Sequence, residues 1–223
     1  MKIRDLDLQL RRAPSSTASS VYQTAIGMAE GDDQMGSRRD IKLVVVGDGT
    51  VGKTCLCYTY KQGSFPDDDA HRPTIFDNSY IDLSLDGHHL NLNVWDTAGQ
   101  EEFERLRPLM YPKTDVFLLC YAIDNVTSFN NIMIKWAPEL RKHCPNARIM
   151  LVATKADCRG SDPQTNVERA RGRKLAVGKL KADGFIECSA RTGEGVAEAF
   201  ETAVRTVLYG PQLGSEGCVC TLV

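Results

Sequence analysis

Residues 41–54 read Ile41-Lys42-Leu43-Val44-Val45-Val46-Gly47-Asp48-Gly49-Thr50-Val51-Gly52-Lys53-Thr54. The first six are mostly apolar and β-branched, which is typical of a strand buried on both faces. The next eight fit the pattern G-x-x-x-x-G-K-[ST], and a helical pattern follows over residues 54–61. A glycine-rich turn between a strand and a helix presents backbone N–H groups that can surround phosphates. Lys53 can add a charge to the outer phosphates and Thr54 a hydroxyl ligand for Mg²⁺, so these residues predict a nucleoside-phosphate site.

Apolar runs alternate with helical patterns through the rest of the chain. The predicted strands that follow are residues 116–123, 149–153 and 185–188, and the predicted helices are residues 128–142, 167–183 and 195–208. Residues 80–85 and 90–95 alternate polar and apolar side chains around Asp86-Gly87-His88-His89, which predicts an antiparallel hairpin with an Asp-Gly turn and with His88 and His89 in the loop. We therefore expect an α/β P-loop fold with a six-stranded, mostly parallel sheet, one antiparallel hairpin strand and flanking helices. Ligands of such folds bind at the carboxyl ends of the strands.

The composition indicates one folded domain with two tails. We expect a disordered extension over residues 1–38, a folded domain over residues 39–209 and a flexible tail over residues 210–223. The 223 residues carry a net charge of −2, which argues against a protein that coats nucleic acid. Neither a membrane-spanning apolar run nor a secretory signal is present, and the eight cysteines contain no CxxC pair. These features favour a reduced, intracellular protein.

Two strand ends carry groups suited to a guanine base. Thr154-Lys155-Ala156-Asp157 follows one predicted strand, and Cys188-Ser189-Ala190-Arg191 ends the next. The Asp157 carboxylate can accept hydrogen bonds from N1–H and the exocyclic amine of guanine, which adenine does not offer in that pattern. The alkyl chain of Lys155 can lie along the ring. Backbone N–H groups near Ser189 and Ala190 can contact guanine O6, so we predict that the nucleotide is GTP or GDP.

A third strand end, Asp96-Thr97-Ala98-Gly99-Gln100, supplies groups suited to hydrolysis. Asp96 can hold Mg²⁺ through a water, and the N–H of Gly99 can reach the γ-phosphate. Gln100 can orient the attacking water. A P-loop kinase is an alternative, but it would need an acceptor site and leaves the Thr154–Asp157 segment unexplained.

In this order the four motifs resemble the Ras superfamily of small GTPases, over residues 41–208. Several further stretches are similar to the Rho family within it: Phe65-Pro66, Arg72-Pro73-Thr74-Ile75-Phe76-Asp77-Asn78, residues 106–112, residues 135–139 and residues 143–146. The resemblance implies that Thr74 closes on Mg²⁺ and the γ-phosphate, and that Phe65 packs across the guanine. The expected catalytic residues are Gln100, Lys53 and Thr74. The expected nucleotide-binding residues are Gly47, Asp48, Gly49, Thr50, Val51, Gly52, Lys53, Thr54, Cys55, Phe65, Thr74, Asp96, Gly99, Thr154, Lys155, Asp157, Ser189 and Ala190, with Thr54, Thr74 and Asp96 (through water) at the metal.

The resemblance also implies a way of working. A Rho-like protein hydrolyses GTP slowly without an activating protein, exchanges nucleotide with the help of exchange factors, and signals through effectors such as kinases. The expected outputs are the actin cytoskeleton, cell shape or polarity. The alternative is a scaffold that exchanges nucleotide freely, stays mostly GTP-bound and hydrolyses little.

Two departures from the Rho pattern bear on that alternative. The path from Phe65 to Thr74 is longer than in the family, contains Asp67-Asp68-Asp69, and has no counterpart of the tyrosine that usually covers the nucleotide. Acidic side chains near phosphates repel them, which predicts a looser loop and faster exchange. The other interpretation is a solvated acidic loop without effect on the nucleotide. The second departure is at residues 159–164, where the family's helical insert is reduced or missing.

The last four residues, Cys220-Thr221-Leu222-Val223, loosely fit the prenylation pattern C-a-a-X. One lipid holds a membrane only marginally, and the tail from Tyr209 contains no Lys or Arg. We therefore predict a prenyl group on Cys220 and a palmitoyl group on Cys218, although Cys218 as an unmodified thiol is the alternative. The expected location is the cytoplasmic face of membranes, chiefly the plasma membrane, with a cytosolic pool.

Overall fold

The computed structural model describes residues 38–66, 76–100, 103–160 and 166–213, with Phe76 described by its backbone alone. Several sequence predictions fall elsewhere. The N-terminal extension, Thr74 with its acidic loop, and the two tail cysteines Cys218 and Cys220 all lie outside the described residues.

The described residues form one six-stranded sheet. Its strands are β1 (Arg39–Gly47), β2 (Phe76–Leu85), β3 (His88–Thr97), β4 (Val116–Ala122), β5 (Arg148–Thr154) and β6 (Gly184–Glu187). They lie in the order β2-β3-β1-β4-β5-β6. β2 and β3 pair antiparallel, and the other neighbours pair parallel. The predicted sheet, mostly parallel with one antiparallel strand, is confirmed.

The β2–β3 hairpin is tighter than the sequence predicts. Its turn consists of Asp86 and Gly87 alone, with φ angles of 50° and 81°. Two successive positive φ values are typical of a type I′ turn, which matches the twist of the flanking strands. His88 and His89 therefore lie in β3 rather than in a loop, and this part of the sequence interpretation was wrong.

In addition to short 3-10 helices at Arg107–Met110 and Ala156–Cys158, four helical segments within the described residues flank the sheet. They are α1 (Lys53–Gln62), α2 (residues 126–143), α3 (residues 169–180) and α4 (Val196–Tyr209). A π-helical turn interrupts α2 at Ile132–Trp136, and another forms the end of α3 at Ala176–Leu180. The sequence predicts both as regular helices, because one inserted residue hardly alters apolar spacing. α3 also ends earlier than predicted, since Lys181 adopts a left-handed φ of 52°.

Helices cover both faces of the sheet, which is why its central strands are apolar throughout. α1 and α4 pack on one face, where the rings of Tyr60 and Phe200 stack with centroids 3.9 Å apart. α2 and α3 cover the other face, around Trp136 and Phe117. The carboxyl ends of β1, β3 and β5 consequently meet the amino end of α1 at one edge of the sheet. None of the described helices combines the length and apolarity needed to cross a membrane.

Candidate functional site

A cavity of about 600 Å³ opens at this edge of the sheet. Of the predicted nucleotide-binding and catalytic residues, the ones that line it are Gly49, Thr50, Gly52, Lys53, Thr54, Cys55, Phe65, Gly99, Gln100, Thr154, Lys155, Asp157 and Ala190. Four loops that are distant in sequence thus share one cavity. Tyr58 and Asp124 also line the cavity, and no motif in the sequence predicted them there.

Residues 47–54, the glycine loop, curl around one end of the cavity. Gly47 is required sterically, because a Cβ atom there would lie 2.3 Å from the Cys120 carbonyl oxygen. Gly52, at φ 90°, precedes the first residue of α1. Thr50 adopts a φ of 62°, a conformation that costs a residue with a Cβ about 1 kcal/mol or more. A loop held in this form leaves its N–H groups and the amino end of α1 facing the cavity.

Lys53 lies inside the curl. Its side chain is buried, and Nζ donates hydrogen bonds to the carbonyl oxygens of Gly47 at 2.9 Å and Asp48 at 2.7 Å. Burial lowers the pKa of Lys53, while the nearby carboxylates of Asp96 and Asp48 oppose this. The ammonium group is thus held at the centre of the loop, where an anion in the cavity would neutralise it.

Asp96, at the end of β3, is a candidate metal group. Both of its carboxylate oxygens are buried, and neither receives a hydrogen bond of good geometry from the described residues. Burial raises the pKa of Asp96 to about 6, an effect that the neighbouring Thr54 and Lys53 oppose. A buried carboxylate beside a threonine hydroxyl is the oxygen donor set that suits Mg²⁺. The residues therefore fit the cation that the sequence predicts there.

Gly99 and Gln100 lie directly against the glycine loop. A Cβ on Gly99 would come within 2.4 Å of the Gly47 carbonyl oxygen and the Asp48 carbonyl carbon, so only glycine fits. The Cγ of Gln100 lies 3.6 Å from the position that a Cβ would take on Gly49. This contact places the Gln100 side chain at the end of the cavity that the glycine loop surrounds.

The opposite end of the cavity is built from β5 and the residues after β6. The Ser189 hydroxyl donates to Asp157 Oδ1 at 2.6 Å, which fixes the orientation of that carboxylate. The Thr154 hydroxyl lies 2.6 Å from the Val51 carbonyl oxygen and so connects this end to the glycine loop. Lys155 has a left-handed φ of 59°, and its Nζ lies 3.3 Å from Asp124 Oδ2.

Three predicted residues that do not line the cavity support it from behind, namely Asp48, Val51 and Ser189. The Asp48 carboxylate turns toward α2, where it accepts hydrogen bonds from Trp136 Nε1 at 2.7 Å and Asn131 Nδ2 at 2.6 Å. Val51 and Ser189 are buried, and their contacts hold neighbouring loops. Phe65 lies at the rim with 37% of its surface exposed.

Arg107 connects the Gln100 loop to α2, a role that the sequence did not reveal. Its buried guanidinium donates to the carbonyl oxygens of Ala98 at 3.1 Å and Gln100 at 3.3 Å. The same group makes two hydrogen bonds to Glu139, at 3.1 and 3.2 Å, and lies 4.5 Å above the Trp136 ring. Burial opposes ionisation of Glu139, but hydrogen bonds from Arg107 and Tyr111 keep its pKa below the ordinary value. Together with the Trp136–Asp48 bond, this network fixes both the glycine loop and the Gln100 loop to α2.

Replacing Trp136 with phenylalanine should lower the free energy of unfolding by about 2 kcal/mol, since a charged acceptor loses a hydrogen bond. Urea unfolding of four proteins checks this: the wild type, Trp136→Phe, Asp48→Asn and the double variant. We expect a coupling energy of at least about 1 kcal/mol between the two positions. Purely additive losses would show that the bond contributes nothing beyond packing.

Comparison with known proteins assigns the chain to a family. The chain matches the Ras family over residues 42–209. It is 47% identical over 190 aligned residues to the Rho-related GTP-binding protein RhoB of Homo sapiens, an alignment that covers 79% of this chain and 95% of RhoB. The RhoB proteins of Mus musculus and Rattus norvegicus match with the same identity and coverage. With the fold and the motif order described above, these matches establish that the chain belongs to the Rho family of small GTPases.

Proposed function

We propose that this chain binds GTP and GDP with Mg²⁺, hydrolyses GTP, and acts as a membrane-attached switch that signals through effectors. The observation that carries the proposal is that one cavity has the glycine loop at one end and the carboxylate of Asp157, held by Ser189, at the other. A nucleotide that spans it would have its phosphates on the glycine loop and its base edge on Asp157. Phe65, at the rim, would cover the base.

In this proposal the phosphates are bound by backbone N–H groups of the glycine loop and by Lys53. Nζ of Lys53 would exchange its two carbonyl partners for phosphate oxygens. Thr54 and Asp96, the latter through water, would hold Mg²⁺ together with Thr74, which lies outside the described residues. When bound, Mg²⁺ supplies positive charge to the phosphate oxygens. Gln100 would position the water that attacks the γ-phosphorus, and the N–H of Gly99 would bind a γ-phosphate oxygen.

The arginines among the described residues support slow hydrolysis without an activating protein. Among the described residues, the one arginine that lines the cavity is Arg191, and it adjoins Ala190 at the base end. A positive charge at the γ-phosphate end would then come from a partner, as an arginine supplied in trans does in related enzymes. Exchange factors and effectors, including kinases that act on the cytoskeleton, cell shape or polarity, would recognise the nucleotide-dependent loops around Thr74 and Gln100.

We also propose that the tail anchors the protein to the cytoplasmic face of membranes, chiefly the plasma membrane, with a cytosolic pool. The support is sequence alone, namely the C-a-a-X pattern at Cys220 and the neighbouring Cys218. A prenyl group on the first and a palmitoyl group on the second would provide the two signals that stable attachment requires.

The long acidic connection between Phe65 and Thr74 favours a second candidate function, a GTP-bound scaffold that exchanges freely and hydrolyses little. One experiment separates the two. The purified chain is loaded with γ-labelled GTP or with labelled GDP in Mg²⁺, and phosphate release and GDP release are followed together. Slow release of both is expected for a regulated switch, and chelation of Mg²⁺ should then accelerate GDP release. Rapid GDP release with little phosphate release would establish the scaffold instead.

A further inference from the structure

Residues 169–181, the basic strip, form a local concentration of positive charge. They read Arg-Ala-Arg-Gly-Arg-Lys-Leu-Ala-Val-Gly-Lys-Leu-Lys, with six cationic residues and no acidic residue, in a chain whose net charge is −2. The strip comprises α3 and the residue that ends it. All six cations are exposed: Arg169, Arg171, Arg173, Lys174, Lys179 and Lys181.

Little of this charge is neutralised by the folded domain. Arg169 Nε lies 3.9 Å from Glu187 Oε2, although its side chain remains 75% exposed, and Arg171 lies 4.8 Å above the Phe129 ring. Within the described part of the chain, no carboxylate forms an ion pair with the other four cations. A surface that leaves lysines and arginines without carboxylate partners attracts polyanions.

The chain leaves the folded domain beside this strip. The backbone N–H groups of Gln212 and Leu213 donate to the Asp183 carbonyl oxygen, at 2.6 and 3.1 Å, two residues after Lys181. The Asp183 carboxylate is neutralised by Arg148 at 3.0 Å. Arg141 of α2 reaches the same place and donates to the Leu180 carbonyl oxygen at 3.1 Å, which adds another cation.

The distance from this exit to the proposed lipid is short. Seven residues lead from Leu213 to Cys220, so the two lie at most about 25 Å apart. Residues 209–223 contain no Lys or Arg that could hold the tail to an anionic surface. A lipid on Cys220 would therefore keep the Asp183 end of the basic strip within about 25 Å of the bilayer.

We propose that the basic strip is a membrane-binding surface that docks on anionic phospholipid headgroups and supplies the electrostatic signal that the tail lacks. Val177, in the middle of the strip and 57% exposed, offers an apolar side chain to the headgroup region. The proposal rests on the proposed lipidation of Cys220. An acidic protein partner would match the charge as well, but the position of the tail exit favours the membrane.

The test is sedimentation of the full chain, expressed in eukaryotic cells, with vesicles of phosphatidylcholine alone or mixed with phosphatidylserine. Wild-type protein should bind the mixed vesicles more tightly, and added salt should reduce the difference. The variant Lys179→Gln/Lys181→Gln should bind them about 30-fold more weakly, since each cation near an anionic surface contributes about fivefold. Its binding to phosphatidylcholine alone should not change. The matched control, Lys61→Gln/Arg105→Gln, removes two exposed cations outside the strip and should behave as wild type.

Equal binding of the strip variant and the control to mixed vesicles would overturn the proposal, and so would indifference of the wild type to phosphatidylserine. Capture of an acidic protein without such a lipid preference would reassign the strip to that partner. The mass of the tail peptide reports separately whether Cys220 is prenylated. If Cys220 is not prenylated, the proposed membrane anchor is wrong. The basic strip can still be tested with the unlipidated chain at low salt, by measuring whether its vesicle binding depends on phosphatidylserine. Thermal unfolding of each variant verifies that it is folded.

Discussion

Replacing Asp157 with asparagine will weaken GDP binding by about 10³-fold or more, because two donors of the guanine edge lose their carboxylate acceptor. The asparagine amide donates where the carboxylate accepted. It therefore suits xanthine, which has a carbonyl oxygen in place of the exocyclic amine of guanine. Ser189 can keep its hydrogen bond to Oδ1 in the variant, since an amide oxygen also accepts. We expect the variant to prefer xanthosine diphosphate to GDP, as measured by displacement of a fluorescent nucleotide.

The matched control is Asp124→Asn, which makes the same chemical change elsewhere on the cavity wall. Asp124 contacts Lys155 at 3.3 Å, and both side chains are about one-third exposed. Such a partly exposed ion pair contributes at most about 1 kcal/mol, so GDP affinity should fall by no more than about fivefold. Equal losses in the two variants would mean that Asp157 does not bind the base.

The second large effect is expected for Gln100→Leu. The leucine fills similar space but cannot hold a water, so single-turnover GTP hydrolysis should slow by at least about 10-fold. Affinity for GDP should stay within about twofold, because Gln100 lies at the γ-phosphate end of the proposed site. The readout is release of labelled phosphate from a preloaded protein.

Gln62→Leu provides the control, since Gln62 is exposed at the end of α1 and does not line the cavity. This variant should hydrolyse GTP at the wild-type rate. An unchanged rate in Gln100→Leu would remove Gln100 from the mechanism and leave hydrolysis to the charges of the glycine loop.

The sheet and the main loops of the site could be predicted from sequence because their constraints are local. The apolar run of β1, the glycines after it and the alternation in β2 and β3 each require a particular backbone. The π-helical turns at Trp136 and in α3 could not be predicted from sequence, because one extra residue barely changes the spacing of apolar residues. The predicted hairpin turn was too long, because His88 and His89 are polar residues that sequence alone assigns to a loop. In the structure they pair with Leu85 and Ser84.

The supporting network was missed for a different reason. Asp48 and Trp136 are 88 residues apart, much farther than any two residues within one motif. The presence of each residue also has an adequate local explanation. The phosphate-loop pattern accounts for Asp48, and a buried aromatic accounts for Trp136. Trp136 lies in the π-helical turn of α2, and its indole N–H reaches Asp48 in the glycine loop from there. The roles assigned to Thr74, Cys218 and Cys220 stay predictions, since these residues lie outside the described structure.

Two non-glycine residues that line the cavity adopt a left-handed backbone conformation, one at each end of the cavity. Thr50 in the glycine loop and Lys155 in the Thr154–Asp157 segment have φ angles of 62° and 59°. Strain of this kind persists where the surrounding contacts determine the backbone, here the turn into α1 and the Thr154–Val51 bond.

The central claim, that the cavity is a guanine-nucleotide site, is tested most directly by comparing GDP and ADP on the same protein. Nucleotide-free chain is titrated with each in the presence of Mg²⁺, and dissociation constants are obtained by calorimetry. We predict that GDP binds at least about 10³-fold more tightly than ADP, because adenine leaves the Asp157 carboxylate without its donors. Equal affinities for GDP and ADP would contradict the assignment of Asp157 and, with it, this account of the site.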